Sequence, residues 1–438
     1  VNVHNQQIVV LGLGESGRAA AELLHAKGAH VIIRESERNA RVERLAERLR
    51  PMGIRSEIEA WNFTPGRFDL GVLSPGIDPK VPLVTQLRQE RVPLIGEIEL
   101  AWRFCSQPVV AITGTNGKST TTELIAAVFN AGGRRTEACG NIGKPFSDVV
   151  RQLDTLDVIT LEVSSFQLET VESFRPQIAV FLNFAPDHLD RYANLEEYLA
   201  AKQGIFLNQT EEDYAVVNPD VPLPGLRART TTIHAYGREA DYVFRDGWLC
   251  RGSEKILEQA TTRLRGPHNA ENQLAALAVA DIYGIGRRHS LAALRAYQAL
   301  PHRCEVVREL DGVTWVNDSK ATNLHSVESA LPGMNPPCVL IAGGKDKGFD
   351  YGSIGKLIAA HVADAILIGE AQPRMVEAWS PHTRCHRAAD LEEAVALARR
   401  LARSGQTVLL SPGCSSYDMF KNFEERGAIF RALVRDLT

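Results

Sequence analysis

Between Val109 and Thr120 the chain reads VVAITGTNGKST. Val109–Ile112 is apolar throughout, as suits a strand buried on both faces, and Ser119–Asn130 carries apolar residues at helical spacing. Between them Gly114-Thr115-Asn116-Gly117-Lys118-Ser119-Thr120 makes a glycine-rich turn that opens the helix. Backbone N–H groups at such a turn form a nest for phosphate oxygens. Lys118 is spaced to reach the β and γ phosphates, and the Ser119 hydroxyl to bind Mg2+. A full Walker A spacing would need glycine at position 112, where this chain has Ile112. The chemistry is that of a P-loop all the same, and it predicts ATP as the ligand. Strand, phosphate turn and helix in this order also predict an α/β domain with a mainly parallel sheet.

The same alternation extends in both directions. Upstream, Ile8–Leu11, His30–Ile33 and Leu70–Leu73 read as strands, and Ser16–Lys27 and Glu97–Phe104 as helices. Downstream come strands Val158–Glu162 and Ile178–Leu182, then a more irregular segment from about 208 to 265 with Pro219, Pro222, Pro224 and short β-like pieces, then a helix Ala270–Tyr283. The last third offers strands Val313–Asn317, Val339–Ala342, Ala365–Ile368 and Thr407–Leu410. Breaks at Arg91-Val92-Pro93 and Leu300-Pro301-His302 divide the chain into 1–95, 96–300 and 301–438. Three domains also suit 438 residues at about 150 per domain.

A second glycine turn, Gly12-Leu13-Gly14-Glu15-Ser16-Gly17, follows the first strand and opens the first helix, and Glu35 ends the next strand. Amides at a helix start can face a diphosphate, and an acid so placed can bind a ribose hydroxyl. A nicotinamide dinucleotide and a nucleotide sugar both fit. At this point an NAD oxidoreductase and a non-catalytic ATP-binding switch both stand. Composition narrows the partners. A net charge of -4 argues against a broad nucleic-acid surface. No apolar run approaches the roughly 20 residues of a membrane span, and no secretory signal is expected. The seven cysteines include no CxxC pair, so neither a zinc site nor a disulfide framework is expected, and a reduced, cytoplasmic protein is.

Further segments follow in order: Leu161–Glu169 (LEVSSFQLE), Leu182–Tyr192 (LNFAPDHLDRY), Asp318–Asn323 (DSKATN) and Ser411–Gly427 (SPGCSSYDMFKNFEERG), with Ser74-Pro75-Gly76-Ile77 and Pro301-His302-Arg303. Together with AITGTNGKST they resemble the Mur ligase family over essentially the whole chain. DSKATN and FKNFEERG resemble its D-glutamate-adding branch, whereas folylpolyglutamate synthetases share only a looser ATP loop. The resemblance implies a Rossmann-like N-terminal domain holding a UDP sugar, a central P-loop ATPase-type α/β domain, and a C-terminal Rossmann-like α/β domain bringing the amino acid. It implies ATP-driven amide synthesis, in which the carboxylate of UDP-N-acetylmuramoyl-L-alanine becomes an acyl phosphate. The amine of D-glutamate then attacks, and a tetrahedral intermediate expels phosphate. A monomer using ATP and two Mg2+ ions is expected, with no nucleic-acid or membrane partner.

Carried over position by position, the resemblance puts Gly14, Glu15, Ser16, Glu35, Ser36, Ser74 and Gly76 at the UDP sugar, with Asn141 and His188 near its muramoyl part. Asn272, Arg303 and Asp318 join the 114–120 turn at ATP. Lys118, Glu162, His188, Lys202 and Lys320 form the implied catalytic set. Ser119, Glu162 and His188 are the implied Mg2+ ligands, completed by Lys202 if it is carbamylated. Thr322, Lys347, Ser416 and Phe423 are assigned to D-glutamate, with Lys345 close enough to compete for the role of Lys347. Tyr417 departs from the aliphatic residue of some relatives. The residues themselves add three points. Glu162 ends an apolar strand, where an unpaired carboxylate is costly. Asn269 also reads as a helix N-cap. Arg303 follows a domain break, so closure could deliver it to the phosphates.

Overall fold

Apolar runs too short for helices and bounded by glycine, proline or charge become the strands of three sheets. The computed structural model describes residues 2–60, 68–78, 80–188, 191–298, 301–334 and 337–438. Leu300, at the second expected boundary, and Leu189 and Asp190 of the DHLD segment lie outside the described residues.

The first sheet is parallel, in the order β3-β2-β1-β4-β5. Its strands are β1 (Gln7–Leu11), β2 (His30–Glu35), β3 (Arg55–Ile58), β4 (Leu70–Leu73) and β5 (Leu94–Gly96). Strand order reverses at β1, which opens a crevice at the carboxyl ends of β1 and β4. The turns that follow these two strands meet there, with Ser74 Oγ donating to the Gly12 carbonyl at 3.0 Å.

The second sheet runs β14-β13-β12-β11-β10-β9-β6-β8-β7. It comprises β6 (Val109–Thr113), β7 (Thr136–Gly140), β8 (Val158–Glu162), β9 (Ile178–Phe181), β10 (Tyr214–Val217), β11 (Arg229–His234), β12 (Tyr242–Arg245), β13 (Trp248–Arg251) and β14 (Glu254–Glu258). β6 lies between β8 and β9, parallel to both, and is buried along its whole length. The short β-like pieces expected in the irregular segment are five strands, β10 to β14. The last three form an antiparallel meander whose first turn, Asp246-Gly247, has φ of +50° and +80°, the geometry of a two-residue hairpin loop.

The third sheet runs β15-β16-β20-β17-β18-β19 and is parallel except for the β15–β16 pair. Its strands are β15 (Glu305–Leu310), β16 (Val313–Asn317), β17 (Cys338–Gly343), β18 (Val362–Ile368), β19 (Arg384–Arg387) and β20 (Thr407–Leu410).

The helices Glu15–Ala26, Glu97–Trp102 and Lys118–Ala131 lie within a residue or two of their expected limits. The helix expected from Ala270 starts earlier, at Pro267, with Gly266 as its N-cap. Proline suits a first helical turn because its missing N–H would have had no partner there. Asn269 is therefore not the cap, and its Nδ2 donates back to the Arg265 carbonyl at 2.9 Å.

One hydrophobic cluster extends from Val3 to Ile205, so the first and second sheets share a core. The two clusters on either side of the third sheet draw only on residues from Cys304 onward. Among the described residues no helix is long and apolar enough to cross a membrane.

Candidate active site

The phosphate turn is pinned from below. Thr115 N–H donates to the Asn183 carbonyl at 3.0 Å, and Asn116 N–H to Asn183 Oδ1 at 2.9 Å. Gly117 has φ +83°, and a Cβ there would lie 2.3 Å from Asn272 Oδ1, so a side chain is excluded both by backbone and by space. Lys118 Nζ donates to the carbonyls of Gly114 (3.1 Å) and Thr115 (2.8 Å). Lys202, buried on the helix Leu195–Gln203, donates to the same Gly114 carbonyl at 2.8 Å from behind the turn. Burial lowers the pKa of Lys118 against the opposing charges of Glu162 and Asp187. Burial first, and the Lys118 charge second, hold Lys202 well below the ordinary lysine value.

The turn faces a cavity of about 410 Å³ between the second and third sheets. Thr115–Thr120, Asn141, Glu162, His188 and Asn272 line it from one side, and Arg303, Asp318, Lys320 and Thr322 from the other. Arg303 Nη2 donates to Ser119 Oγ at 2.7 Å, so a residue beyond the second domain break reaches the phosphate turn. Glu162 ends β8 with Oε1 accepting from Asn141 Nδ2 at 2.8 Å, while its Oε2 is buried with no hydrogen-bond partner. A buried carboxylate oxygen left unpaired, in a cavity also lined by the Ser119 hydroxyl, is a donor set suited to a hard divalent cation such as Mg2+. Burial pushes the His188 pKa down against the opposing charge of Asp187, which leaves the ring neutral at pH 7.

On the C-terminal side Asp318 accepts from Ser411 Oγ (2.9 Å) and Cys304 N–H (3.2 Å), and burial raises its pKa to about 7. Lys320 Nζ sits 3.8 Å above the Phe423 ring, and burial, then the charge of Arg303, lowers its pKa to about 8. Lys347 approaches Asp187, which lines the cavity, at 3.7 Å. Lys345 is instead paired with Glu370 at 2.6 Å on the surface, so only Lys347 of the two reaches the cavity wall. Ser416 and Phe423 do not line the cavity. Ser416 is buried with its carbonyl accepting from Met419 and Phe420, whereas Tyr417 is 74% exposed.

The N-terminal candidates form a separate group at the β1/β4 crevice. A Cβ at Gly14 or Gly76 would meet nothing within 4 Å, so both turns present open backbone. Glu35 Oε2 accepts from Leu13 N–H at 2.7 Å and Oε1 from Glu37 N–H at 2.9 Å, which ties the glycine turn to the end of β2. Ser36 Oγ lies 3.4 Å from Glu35 Oε1. The Glu15 carboxylate is held by Arg18 at 3.2 Å, so what Glu15 and Ser16 offer an anion is the helix-start backbone. A narrow crevice leads from Ser74 and Pro75 past Phe166 and Arg191, and the Phe166 ring packs edge-on against His188 at 4.8 Å. The two groups of residues thus connect through His188.

Sequence reading passed over several residues that shape the site. Asn183 and Asp187 sit just past the end of β9, where polar residues after an apolar strand are a usable signal. Glu271, between Asn218 Nδ2 (2.7 Å) and Asn183 Nδ2 (3.3 Å), is raised to about 8 by burial. Arg426 is fully buried and binds Ser319 Oγ (3.0 Å), the Ser319 carbonyl (2.8 Å) and the Cys414 carbonyl (3.2 Å), joining two loops of the site. Only its place in FKNFEERG hinted at a role.

A mainly parallel sheet carrying a phosphate turn, completed from the C-terminal side by Arg303, Asp318 and Lys320, and adjoined by a third α/β unit with its own glycine turn, is the architecture of a three-part ATP-binding enzyme. The family profile for the Mur ligase middle domain matches residues 112–280, and that for the Mur ligase glutamate ligase domain matches 302–414. The UDP-N-acetylmuramoylalanine–D-glutamate ligase of Geotalea uraniireducens is 45% identical over 99% of this chain and 98% of its own length. That of Pelobacter propionicus is 42% identical over the full length of both chains. Among solved structures, the UDP-N-acetylmuramate–alanine ligase of Thermotoga maritima shares the fold at a TM-score of 0.64 and 19% identity, over 98% of this chain and 99% of that one. The chain belongs to the Mur ligase family, among the UDP-N-acetylmuramoylalanine–D-glutamate ligases.

Proposed function

We propose that this chain joins D-glutamate to UDP-N-acetylmuramoyl-L-alanine at the cost of ATP, in the cytoplasmic assembly of peptidoglycan precursors. The observation that carries this reading is the meeting, in one cavity, of Lys118 and the orphaned Glu162 carboxylate with Arg303 and Lys320 from across a domain seam. A carboxylate is a poor electrophile, and three anions must crowd together before it can be activated. Positioning and cationic neutralisation therefore dominate the chemistry.

The domains divide the labour as 1–95 for the UDP sugar, 96–300 for ATP and 301–438 for the amino acid. The acceptor lies with its diphosphate on the helix start at Gly14–Ser16 and its ribose near Glu35 and Ser36. It passes Ser74 and Gly76 and brings its alanyl carboxylate to Asn141 and His188. The 114–120 turn, Asn272, Arg303 and Asp318 hold ATP. Glu162 and Ser119 hold Mg2+, which supplies charge neutralisation at the transferring phosphoryl group when bound. Lys347 and Thr322 receive the side-chain carboxylate of D-glutamate, and Ser416 with the backbone near Phe423 its α-carboxylate. Lys320 approaches the reacting carboxyl groups.

Lys202 is the candidate for carbamylation. A neutral amine adds to CO2 and loses one proton, which turns a cation into an anionic oxygen donor for a second Mg2+ ion. The lowered pKa and the adjacent Lys118 cation favour that modification. A Lys202→Ala variant is expected to lose most activity, and full activity without added anions would remove the carbamate from the mechanism. The function itself is tested by phosphate release with each substrate omitted in turn. Release only with ATP, Mg2+, acceptor and D-glutamate together supports the reading. ATP turnover indifferent to glutamate, or no new amide bond, overturns it.

A further inference from the structure

Asn116 stands in the middle of the phosphate turn, yet every polar group it has is engaged, and half of them cross a domain seam. Its N–H donates to Asn183 Oδ1 at 2.9 Å and its carbonyl accepts from Asn183 Nδ2 at 3.2 Å. Its side chain is spent on the C-terminal domain, with Oδ1 accepting from Ser326 Oγ at 2.9 Å and Nδ2 2.6 Å from His325 Nδ1. Both partners lie in the first turn of the helix Leu324–Ala330. That helix is capped by Asn323, whose Oδ1 accepts from Ser326 N–H at 2.9 Å. Asn323 Nδ2 reaches back to Asp187 Oδ2 at 2.9 Å, so the same helix start docks at a second point beside the cavity. Burial holds His325 below its ordinary pKa. A neutral imidazole can accept or donate at Nδ1, whichever way the Asn116 amide is turned.

We propose that His325 and Ser326 are positioning residues that form a latch on Asn116, holding the phosphate turn in shape only while the C-terminal domain is seated, so that nucleotide affinity and domain seating become one equilibrium. Removing the latch then weakens ATP, because the turn gains less from the seated domain, and by linkage ATP favours seating less, through Arg303 and Asp318 alone. The inference rests on the assignment of this turn to ATP.

The test is a mutant cycle read as the KM for ATP. Asn116→Ala, the pair His325→Ala/Ser326→Ala, and the triple variant are compared with the parent. Each of the first two is expected to raise the KM about tenfold, as loss of two hydrogen bonds would, with a smaller change in kcat. The triple variant is expected to stay close to Asn116→Ala, exceeding it only by what loss of the Ser326 Oγ–Asn323 Oδ1 contact (2.9 Å) adds, because the rest of the latch acts through Asn116. The pair His325→Gln/Ser326→Thr keeps hydrogen-bonding groups in place and is expected within about threefold of the parent. Should the alanine pair fail to fold, Ser326→Ala alone runs the same cycle. Effects that multiply in the triple variant, an unchanged KM in the pair, or equal loss in the alanine and conservative pairs each overturn the latch. A parent enzyme inert toward ATP would sink the functional reading and the latch with it, whereas an active parent with multiplying effects sinks the latch alone.

Discussion

Glu162 is costly to the fold where it stands, and the role proposed for it in the site makes that cost testable. Its Oε2 is buried with no hydrogen-bond partner, a placement that costs about 1–3 kcal/mol where nothing binds it. Glu162→Gln removes the charge and keeps the shape. Phosphate release by this variant should fall about a hundredfold or more at any Mg2+ concentration, while its melting temperature without ligands stays at or above that of the parent. A variant that lost stability and activity together would mean that Glu162 is structural. Asp318 gives a second residue-level test. Burial raises its pKa from 3.8 to about 7. Below pH 3.8 the carboxyl is neutral in both folded and unfolded chains. Between 3.8 and about 7 the unfolded chain ionises while the folded one holds its proton, so the parent loses stability as pH rises through that window, and nothing more is lost above it. Asp318→Asn does not titrate, and the Ser411 hydroxyl can turn to accept from the new amide. Melting curves should therefore show the variant gaining on the parent from pH 4 to 7 and then running level with it. A constant gap would refute the raised pKa.

At the scale of elements, the strand–turn–helix unit at the start of the chain has the least room for change. Gly17 lies on the first helix where a Cβ would fall 1.9 Å from the Gly12 carbonyl and 2.8 Å from Ser74 Oγ. The clash is with backbone, so it cannot be relieved by a rotamer. Gly17→Ala is expected to destabilise the protein by about 2 kcal/mol or more and to raise the KM for the UDP acceptor more than that for ATP. Thermal unfolding and paired substrate titrations check both. The glycine turns were legible because their spacing is a local property of the chain, as were the apolar strands of the parallel sheets. The meander β12–β14 was legible only as short β-like pieces, although Asp246-Gly247 between Phe244 and Trp248 spelled a hairpin, because prolines upstream made the segment look irregular. The resemblance pointed to Lys347, but the local sequence alone left Lys345 open beside it. The choice depends on Glu370 and Asp187, each far away in sequence and brought near only by folding. The His325–Asn116 contact was hidden for the same reason, being 209 positions apart.

Across the whole molecule the two domain seams differ in kind. The N-terminal domain shares a hydrophobic core with the central one, and the seam is reinforced by Arg18 pairing with Asp148 at 2.6 Å and by Arg151 pairing with the buried Glu22 at 2.5 Å. The C-terminal domain keeps its own clusters and touches the phosphate region through polar contacts such as Arg303–Ser119 and Asn323–Asp187. Polar contacts can be exchanged for water at little net cost, whereas a shared core cannot be opened without exposing apolar surface. The C-terminal domain is therefore expected to be the part that moves, with the acceptor site and the phosphate turn fixed relative to each other while the amino acid is brought in. Spin labels at the exposed positions Glu47, Glu239 and Arg403, one in each domain, would measure this. The Glu47–Glu239 distance should be the same with and without a non-hydrolysed ATP analogue and acceptor. The Glu239–Arg403 distance should be broadly distributed in the free protein and narrow when both are bound. A Glu47–Glu239 distance that shifted as much as the other would place the hinge at the wrong seam, and two unchanged distances would leave Arg303 permanently on the phosphate turn rather than delivered to it.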